Sequence, residues 1–283
     1  MALSDRTSSF DHCILAVHSI DEAEKMFRSI GFVVTPRGHH PTRGTQNACI
    51  MFPGGYVELL ATTPDCRESF LLSFLEAGEG ISALAFGPRD TAEAYSLTSA
   101  WGRSSDEPVI GHRDIEGPAR VHFKVLRLLN DTLIPGRAFF CEHLDRELVY
   151  RPEWMAHDNG VENLSSITIV ADPVFGLPAD RAEGLGMKVT ASDAHRYELL
   201  VGGVRIVVLS PAAAAASGIL PPGRRPLPEI AELRFVSEDP DRFERACAAA
   251  GTPAAPVPGE SAWSLSPEQA FGVRITVARK PRG

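Results

Sequence analysis

The chain has 283 residues, 44% of them hydrophobic and 23% charged, the balance of a soluble globular protein with one large domain or two ordinary ones. The net charge of -8 and the lack of a long Lys/Arg run argue against a nucleic-acid surface, and no apolar stretch is long enough to span a membrane. Residues 1–9 are polar and lack a signal-peptide core, so a cytoplasmic location is expected. The five cysteines are odd in number and show no CxxC spacing, which reads as reduced, mostly buried thiols.

Taken in order, the chain repeats one rhythm. Residues 10–17 read as a strand, and 20–30 as a helix opened by Ser19 and Asp21 and stopped at Gly31. Residues 32–34 begin a second strand, 36–46 form a polar Gly/Pro/His loop, and 47–52 and 56–61 make a hairpin across Pro53, Gly54 and Gly55. The rhythm returns near Gly80: a strand at 81–86, a helix at 90–101, and strands at 109–115, 119–126 and 137–143. A third copy starts near Asn163, with a strand at 165–171, a helix at 177–185 and strands at 188–190, 196–201 and 204–209. A fourth starts near Glu229, with a strand at 231–236, a helix at 240–250 and strands at 262–265 and 273–278. Each unit of about 70 residues is too small to bury a good core alone, so the units must pair. Residues 211–228, rich in Ala, Pro and Gly, read as a linker.

His12 heads an apolar strand, and Glu58 lies in the middle of the strand that closes the first unit. A buried carboxylate is costly unless it is paired or bound to a metal, so the two are read together as candidate ligands. Units three and four carry no such residue at the matching places: Ser165 or Ser166 stands near the first, and Val207 and Ile275 near the second. The site is therefore expected in the N-terminal pair.

Four tandem βαβββ units, with His12 on the first strand and Glu58 in Gly-Tyr-Val-Glu-Leu-Leu, resemble the vicinal oxygen chelate superfamily, most closely its glyoxalase-like branch. The segments 36–41, 44–47, 139–143, 151–154 and 157–160 support the resemblance. The first two units match well, and the last two match in rhythm only. The resemblance implies an α+β fold of two cupped mixed sheets: residues 10–146 carrying the site, 147–160 connecting as a possible lid, and 161–279 structural. It also implies one divalent metal ion (Fe, Mn, Zn or Ni) that chelates neighbouring oxygens of a small-molecule substrate. His12 and Glu58 match the ligand positions of unit one. In unit two the first strand offers Ile81 or Ser82 instead of a histidine, and the last strand ends in Glu142 and His143. Neighbours on a strand face opposite ways; His143 is favoured as the third ligand, with Glu142 and His122 in reserve. Two histidines and a carboxylate leave open positions for substrate and water, as catalytic sites require.

Further candidates follow from residue chemistry. His40 is a candidate proton shuttle, since histidine titrates near neutral pH. His157 is a candidate acid/base or substrate contact in the 147–160 segment. Arg37, with its fork of donors, suits a substrate carboxylate. Asn47 suits a substrate oxygen, and Phe140, Tyr150, Trp154 and Asn159 are further candidate substrate contacts. Cys141 beside His143 is set aside as a nucleophile, on the ground that strand neighbours point apart. The resemblance implies two activities: a glyoxalase-like lyase or isomerase that stabilises an enolate, or an Fe(II) extradiol-type dioxygenase on a catechol-like substrate. A non-catalytic small-molecule binding or resistance protein is a third reading, and homodimerisation is left open.

Overall fold

The computed structural model describes residues 8–281 except 68, 103–106, 116–118, 129–136, 222 and 224. The polar start noted above lies largely outside the described residues. The first half runs β1 (Ser9–Ala16), α1 (Ile20–Ser29), β2 (Gly38–His40), β3 (Thr45–Phe52), β4 (Gly55–Thr62), α2 (Ser69–Glu76), β5 (Gly80–Gly87), α3 (Thr91–Ala100), β6 (Val109–Asp114), β7 (Arg120–Arg127) and β8 (Ala138–His143). A short α4 (Arg146–Val149) and a 3-10 turn (Pro152–Trp154) lead into the second half. That half runs β9 (Asn163–Val170), α5 (Ala179–Gly184), β10 (Lys188–Ser192), β11 (Arg196–Val201), β12 (Val204–Leu209), α6 (Pro211–Ala216), β13 (Glu229–Ser237), α7 (Pro240–Ala249), β14 (Ala255–Pro256), β15 (Ala262–Leu265) and β16 (Arg274–Arg279).

The fold is α+β with two eight-stranded mixed sheets. In the first, the order β1-β4-β3-β2-β6-β7-β8-β5 closes into a barrel. Closure rests on one register pair between β2 and β6, His39↔Asp114, whereas β1 and β5 pair from Ser9↔Gly87 to Ala16↔Gly80. The second sheet, β10-β11-β12-β9-β13-β16-β15-β14, stays open. In both, each four-stranded unit pairs its first strand with its last in parallel and meets its neighbour antiparallel at the first strands.

Local chemistry explains the elements. The Ser19 hydroxyl accepts from the Glu22 N–H at the start of α1, and Asp21 and Glu22 suit its positive end. Ile20, Ala23 and Phe27 turn inward from this helix. Phe32 then joins the halves: its ring lies 6.4 Å from Phe52, 6.2 Å from Phe235 and 6.4 Å from Phe243. Burying each such ring stabilises the fold by about 1.5–3 kcal/mol.

Three expectations are corrected. Residues 32–34 form no strand, because Val33 gives its N–H to His157 and Thr35 gives its own to the Cys49 carbonyl. The second strand of unit one is instead Gly38–His40, inside the expected loop. The expected linker 211–228 begins with α6, where the Ser210 hydroxyl caps Ala213 and Pro211 takes the first helical turn.

Gly31 ends α1 with φ +84, and a Cβ there would lie 3.0 Å from the Asn159 backbone nitrogen. Gly31→Ala is therefore expected to lower stability by about 1–3 kcal/mol, read as a lower midpoint in thermal unfolding followed by circular dichroism.

Candidate functional site

A cavity of about 340 Å³ runs through the N-terminal barrel. It is lined from β1 and β4 by His12, Ile14, Tyr56, Glu58 and Leu60, and from β8 by Phe139, Cys141 and His143. Thr45 and Asn47 of β3, His40 of β2 and Arg113 of β6 add polar groups to the wall. α4 and the 3-10 turn pack Val149, Tyr150 and Trp154 over the Tyr56 end of the barrel. At the other end α2 brings Leu71 to the wall, with Phe70 and Leu72 about two-fifths exposed.

At the polar end a carboxylate joins two histidines. Asp11 Oδ2 lies 2.6 Å from His12 Nδ1 and 3.0 Å from His143 Nε2, and the Tyr150 hydroxyl donates to Asp11 Oδ1 at 2.9 Å. On a regular strand Asp11 and His12 would face apart. The register of β1 against β5 shifts between Phe10 and His12, leaving Asp11 in a bulge from which it reaches the same site. Burial alone raises the Asp11 carboxyl, but His143 and His12 outweigh it and hold it well below the usual carboxylate range. An ionised Asp11 only accepts, so both imidazoles give it a proton.

That assignment leaves the other ring nitrogen, His12 Nε2, facing Glu58 Oε2 at 3.5 Å. The ring is held there by Tyr56, stacked at 4.5 Å, and by the edge of Phe139 at 5.5 Å. Glu58 accepts from Asn47 Nδ2 at 2.5 Å. Burial raises the Glu58 carboxyl, and His12, His40, Arg113 and Asn47 together bring it below its ordinary value. An imidazole nitrogen and an ionised carboxylate face each other favourably only with a positive charge between them, either a proton on the nitrogen or a metal ion. His143 Nδ1 is likewise buried without a partner among the described residues. Asp11, His12, Cys141 and His143 also place donor atoms within 4.8 Å of one another, a cluster able to hold a metal ion. These nitrogen, oxygen and sulfur donors fit a divalent ion such as zinc.

The expected ligands are therefore arranged differently from expectation. His12 and Glu58 meet, but His143 Nε2 turns to Asp11 and not to Glu58. The reserve ligands lie outside the barrel interior. The Glu142 carboxylate accepts from Thr91 and pairs with Lys124 at 3.3 Å, and His122 pairs with Asp145 at 2.8 Å. Cys141 and His143 stand two residues apart and share the inner face, so the stated ground for setting Cys141 aside fails. Burial, helped by Asp11 and Glu58, raises the Cys141 thiol well above its ordinary value, and this is what denies it a thiolate.

Of the other candidates, His40 and Asn47 line the cavity and Tyr150 reaches it through Asp11. His40 contacts Thr45 Oγ1 through Nδ1 at 3.1 Å, and burial pushes its pKa down to about 4, keeping it neutral. His157 is away from the cavity: Nδ1 accepts from the Val33 N–H and Nε2 donates to the Met51 carbonyl, each at 3.0 Å. Burial pushes it down to about 4 as well. Such a doubly bonded neutral ring braces the connecting segment and has no free nitrogen for acid/base work. Asn159 donates to the Ile30 carbonyl at 2.9 Å, closing the end of α1. Arg37 pairs with Glu24 at 3.0 Å and with Asp21 on α1. Phe140 is fully buried against Phe86, on the strand face opposite Cys141. Trp154 stacks under Arg151 at 4.8 Å and belongs to the barrel's plug. Tyr56, Cys141 and Arg113 line the cavity, Asp11 stands behind His12 and His143, and the sequence reading counted none of these among the site residues. Asp11 alone carried a signal, as a carboxylate inside an apolar strand.

In the second sheet the buried Glu232 is satisfied by the Thr276 hydroxyl at 2.7 Å, and no metal-binding cluster occurs there among the described residues. No helix among the described residues is long and apolar enough to cross a membrane.

Solved structures share this fold. A hypothetical protein from Staphylococcus aureus superposes with a TM-score of 0.65 at 12% identity, over 96% of this chain and 100% of that one. A mutant of 4-hydroxymandelate synthase from Streptomyces coelicolor gives 0.62 at 13% identity, over 98% and 94%. A xylose isomerase-like TIM barrel/4-hydroxyphenylpyruvate dioxygenase fusion protein gives 0.58 at 14% identity, over 99% of this chain and 50% of that one. At these identities the likeness is one of fold. No curated protein matches the chain. The sequence profile of the glyoxalase-like domain matches residues 10–177, which span the whole barrel, its plug and the start of the second sheet. With that match over more than half its length, the chain belongs to the glyoxalase-like domain family, within the vicinal oxygen chelate superfamily.

Proposed function

We propose that the protein is a divalent-metal-dependent enzyme, a glyoxalase-like lyase or isomerase acting on a small molecule with neighbouring oxygens in the N-terminal barrel. One observation carries this reading: His12 gives Nδ1–H to Asp11 at 2.6 Å and turns Nε2 toward Glu58 at 3.5 Å. A carboxylate behind the imidazole fixes its tautomer and raises its basicity, as behind many metal-binding histidines. His12 Nε2 and Glu58 would hold the ion, and Asp11 would orient His12. The bound ion supplies Lewis-acid polarisation of the substrate oxygens. The chain's own residues do the rest. Neutral His40, which meets Thr45 Oγ1 through Nδ1 and lines the cavity, would accept a substrate proton. Tyr56, kept protonated by burial and by Asp11 and Glu58, closes the polar end. Ile14, Leu60 and Phe139 exclude water.

Elemental analysis of protein purified without added metal tests the reading. Wild type and Cys141→Ser are expected to carry near-stoichiometric ion, and Glu58→Gln to lose about tenfold or more in affinity. Loss in Cys141→Ser with retention in Glu58→Gln moves the ion to the Asp11–His12–Cys141–His143 cluster. Iron with oxygen uptake would replace the lyase or isomerase by a dioxygenase. Failure to bind any divalent ion would leave a binding protein.

A further inference from the structure

The chain is acidic overall, with a net charge of -8, yet the cavity wall holds Arg113, Arg127 and Arg137 together with the single carboxylate of Glu58. Arg137 is engaged with the Pro228 carbonyl at 2.6 Å. Arg113 and Glu58 act on each other through their charges without forming an ion pair. The Arg113 guanidinium donates to Cys49 Sγ at 3.4 Å, and among the described residues no carboxylate forms an ion pair with it. Burial raises that thiol to about 11, outweighing Arg113 itself, so it stays uncharged. A guanidinium has five donors and cannot shed its proton, so Arg113 keeps its charge in the wall, and its one side-chain bond among the described residues is the one to Cys49.

The fold makes room for this arrangement. A Cβ on Gly38 would come within 2.7 Å of both Arg113 Cδ and Asn47 Oδ1, so the missing side chain lets the arginine stem lie beside the Asn47–Glu58 pair. Arg127, exposed at the rim, has no ion-pair partner among the described residues. Between them the wall is apolar, formed by Ile14, Leu60, Leu71, Val125 and Leu128.

We infer that the substrate is a carboxylate on an apolar body. Arg113 takes the carboxylate through its fork beside Glu58 and His12, the apolar body lies along the aliphatic wall, and Arg127 attracts the anion at the rim. The inference rests on the proposed site in the barrel and adds the chemical class of what enters it. A bidentate guanidinium–carboxylate pair in a water-poor wall is strong and directional. The cavity's 340 Å³ suits a small molecule of this kind.

The test is calorimetric titration of the full chain with decanoate, decan-1-ol and decyltrimethylammonium at low and high salt. Decanoate is expected to bind about tenfold or more tighter than decan-1-ol. Arg113→Gln should abolish that preference, and Arg113→Lys should restore it in part. Arg127→Gln should weaken decanoate about two- to threefold and flatten its salt dependence. Equal binding of acid and alcohol, preference for the cation, no binding of decanoate, or a preference that survives Arg113→Gln in a folded protein would each overturn the inference. If Arg113→Gln does not fold, the acid/alcohol ratio and the Arg127→Gln salt dependence decide it. The two proposals fail separately. Carboxylate preference without metal or turnover sinks the metalloenzyme and leaves this inference standing, and turnover of a neutral compound without that preference does the reverse.

Discussion

Asp11→Asn is expected to lower metal affinity about 10- to 100-fold, although Asp11 donates nothing to the His12–Glu58 pair directly. The cause is the tautomer. Asp11 accepts from His12 Nδ1 at 2.6 Å and from His143 Nε2 at 3.0 Å. Both imidazoles meet the same oxygen, Oδ2, so wherever an asparagine turns its amide nitrogen to that place an imidazole must present a lone pair to it, and wherever it keeps its oxygen there the negative charge is still lost. If that imidazole is His12, its proton moves to Nε2, and a donor then faces Glu58 where a metal-binding lone pair stood. Titration with zinc, with the imidazole tautomers read by nitrogen NMR, measures both halves of the argument. Wild-type affinity together with an unchanged His12 tautomer would show that stacking on Tyr56 and Phe139 is enough to orient the ring.

The second large effect is on stability as a function of pH. His40 and His157 both have pKa values pushed from 6.5 down to about 4, chiefly by burial. In the unfolded chain each takes a proton as the pH falls through about 6.5, while in the fold each stays neutral until about 4. Between those values the unfolded state holds more protons, so stability rises with pH. The contribution is complete above about 6.5 and is lost as the pH falls toward 4. Its size is on the order of 3 kcal/mol for each group. Asp11 and Glu58 act in a lower window, since carboxyls depressed in the fold give stability above their unfolded values and lose it in stronger acid. Urea unfolding at pH 7 and pH 5 should show the loss, and His157→Gln, which keeps a donor for Met51, should reduce its pH dependence by about half. A flat profile between those pH values would mean that neither ring is excluded from water.

The four-fold rhythm was legible because each unit writes its first strand, helix and closing hairpin in apolar periodicity and in Gly or Ser punctuation. His12 and Glu58 stood out because a polar residue in such a strand must be satisfied. What stayed hidden depends on register and on contacts distant in sequence. Asp11 reaches the site only through the bulge in β1, which period-two reasoning cannot foresee. Residues 32–34 read as a strand because Phe32 and Val34 are core residues, yet their backbone is met partly by a histidine 124 positions away. His157 and Asn159 looked like ligand-binding residues because polar groups in an irregular segment suggest function, whereas here they satisfy buried backbone groups. Closure of the barrel turns on the pair His39↔Asp114, and nothing in either short stretch announces it.

That single pair gives the barrel a seam. The two four-stranded halves are hinged along the full ladder of β1 and β5 and latched on the far side where β2 meets β6. His40 stands on one lip of the latch and Arg113 on the other, each adjacent in sequence to a residue of the closing pair. Parting the lips would carry Arg113 away from His40, Asn47 and Glu58, all of which belong to the opposite half. A molecule touching both Arg113 and Glu58 would therefore act as a staple across the clamshell. A ligand of that kind would fasten the barrel in the act of filling it, because the shortest strand pairing of the wall lies beside Arg113 and His40.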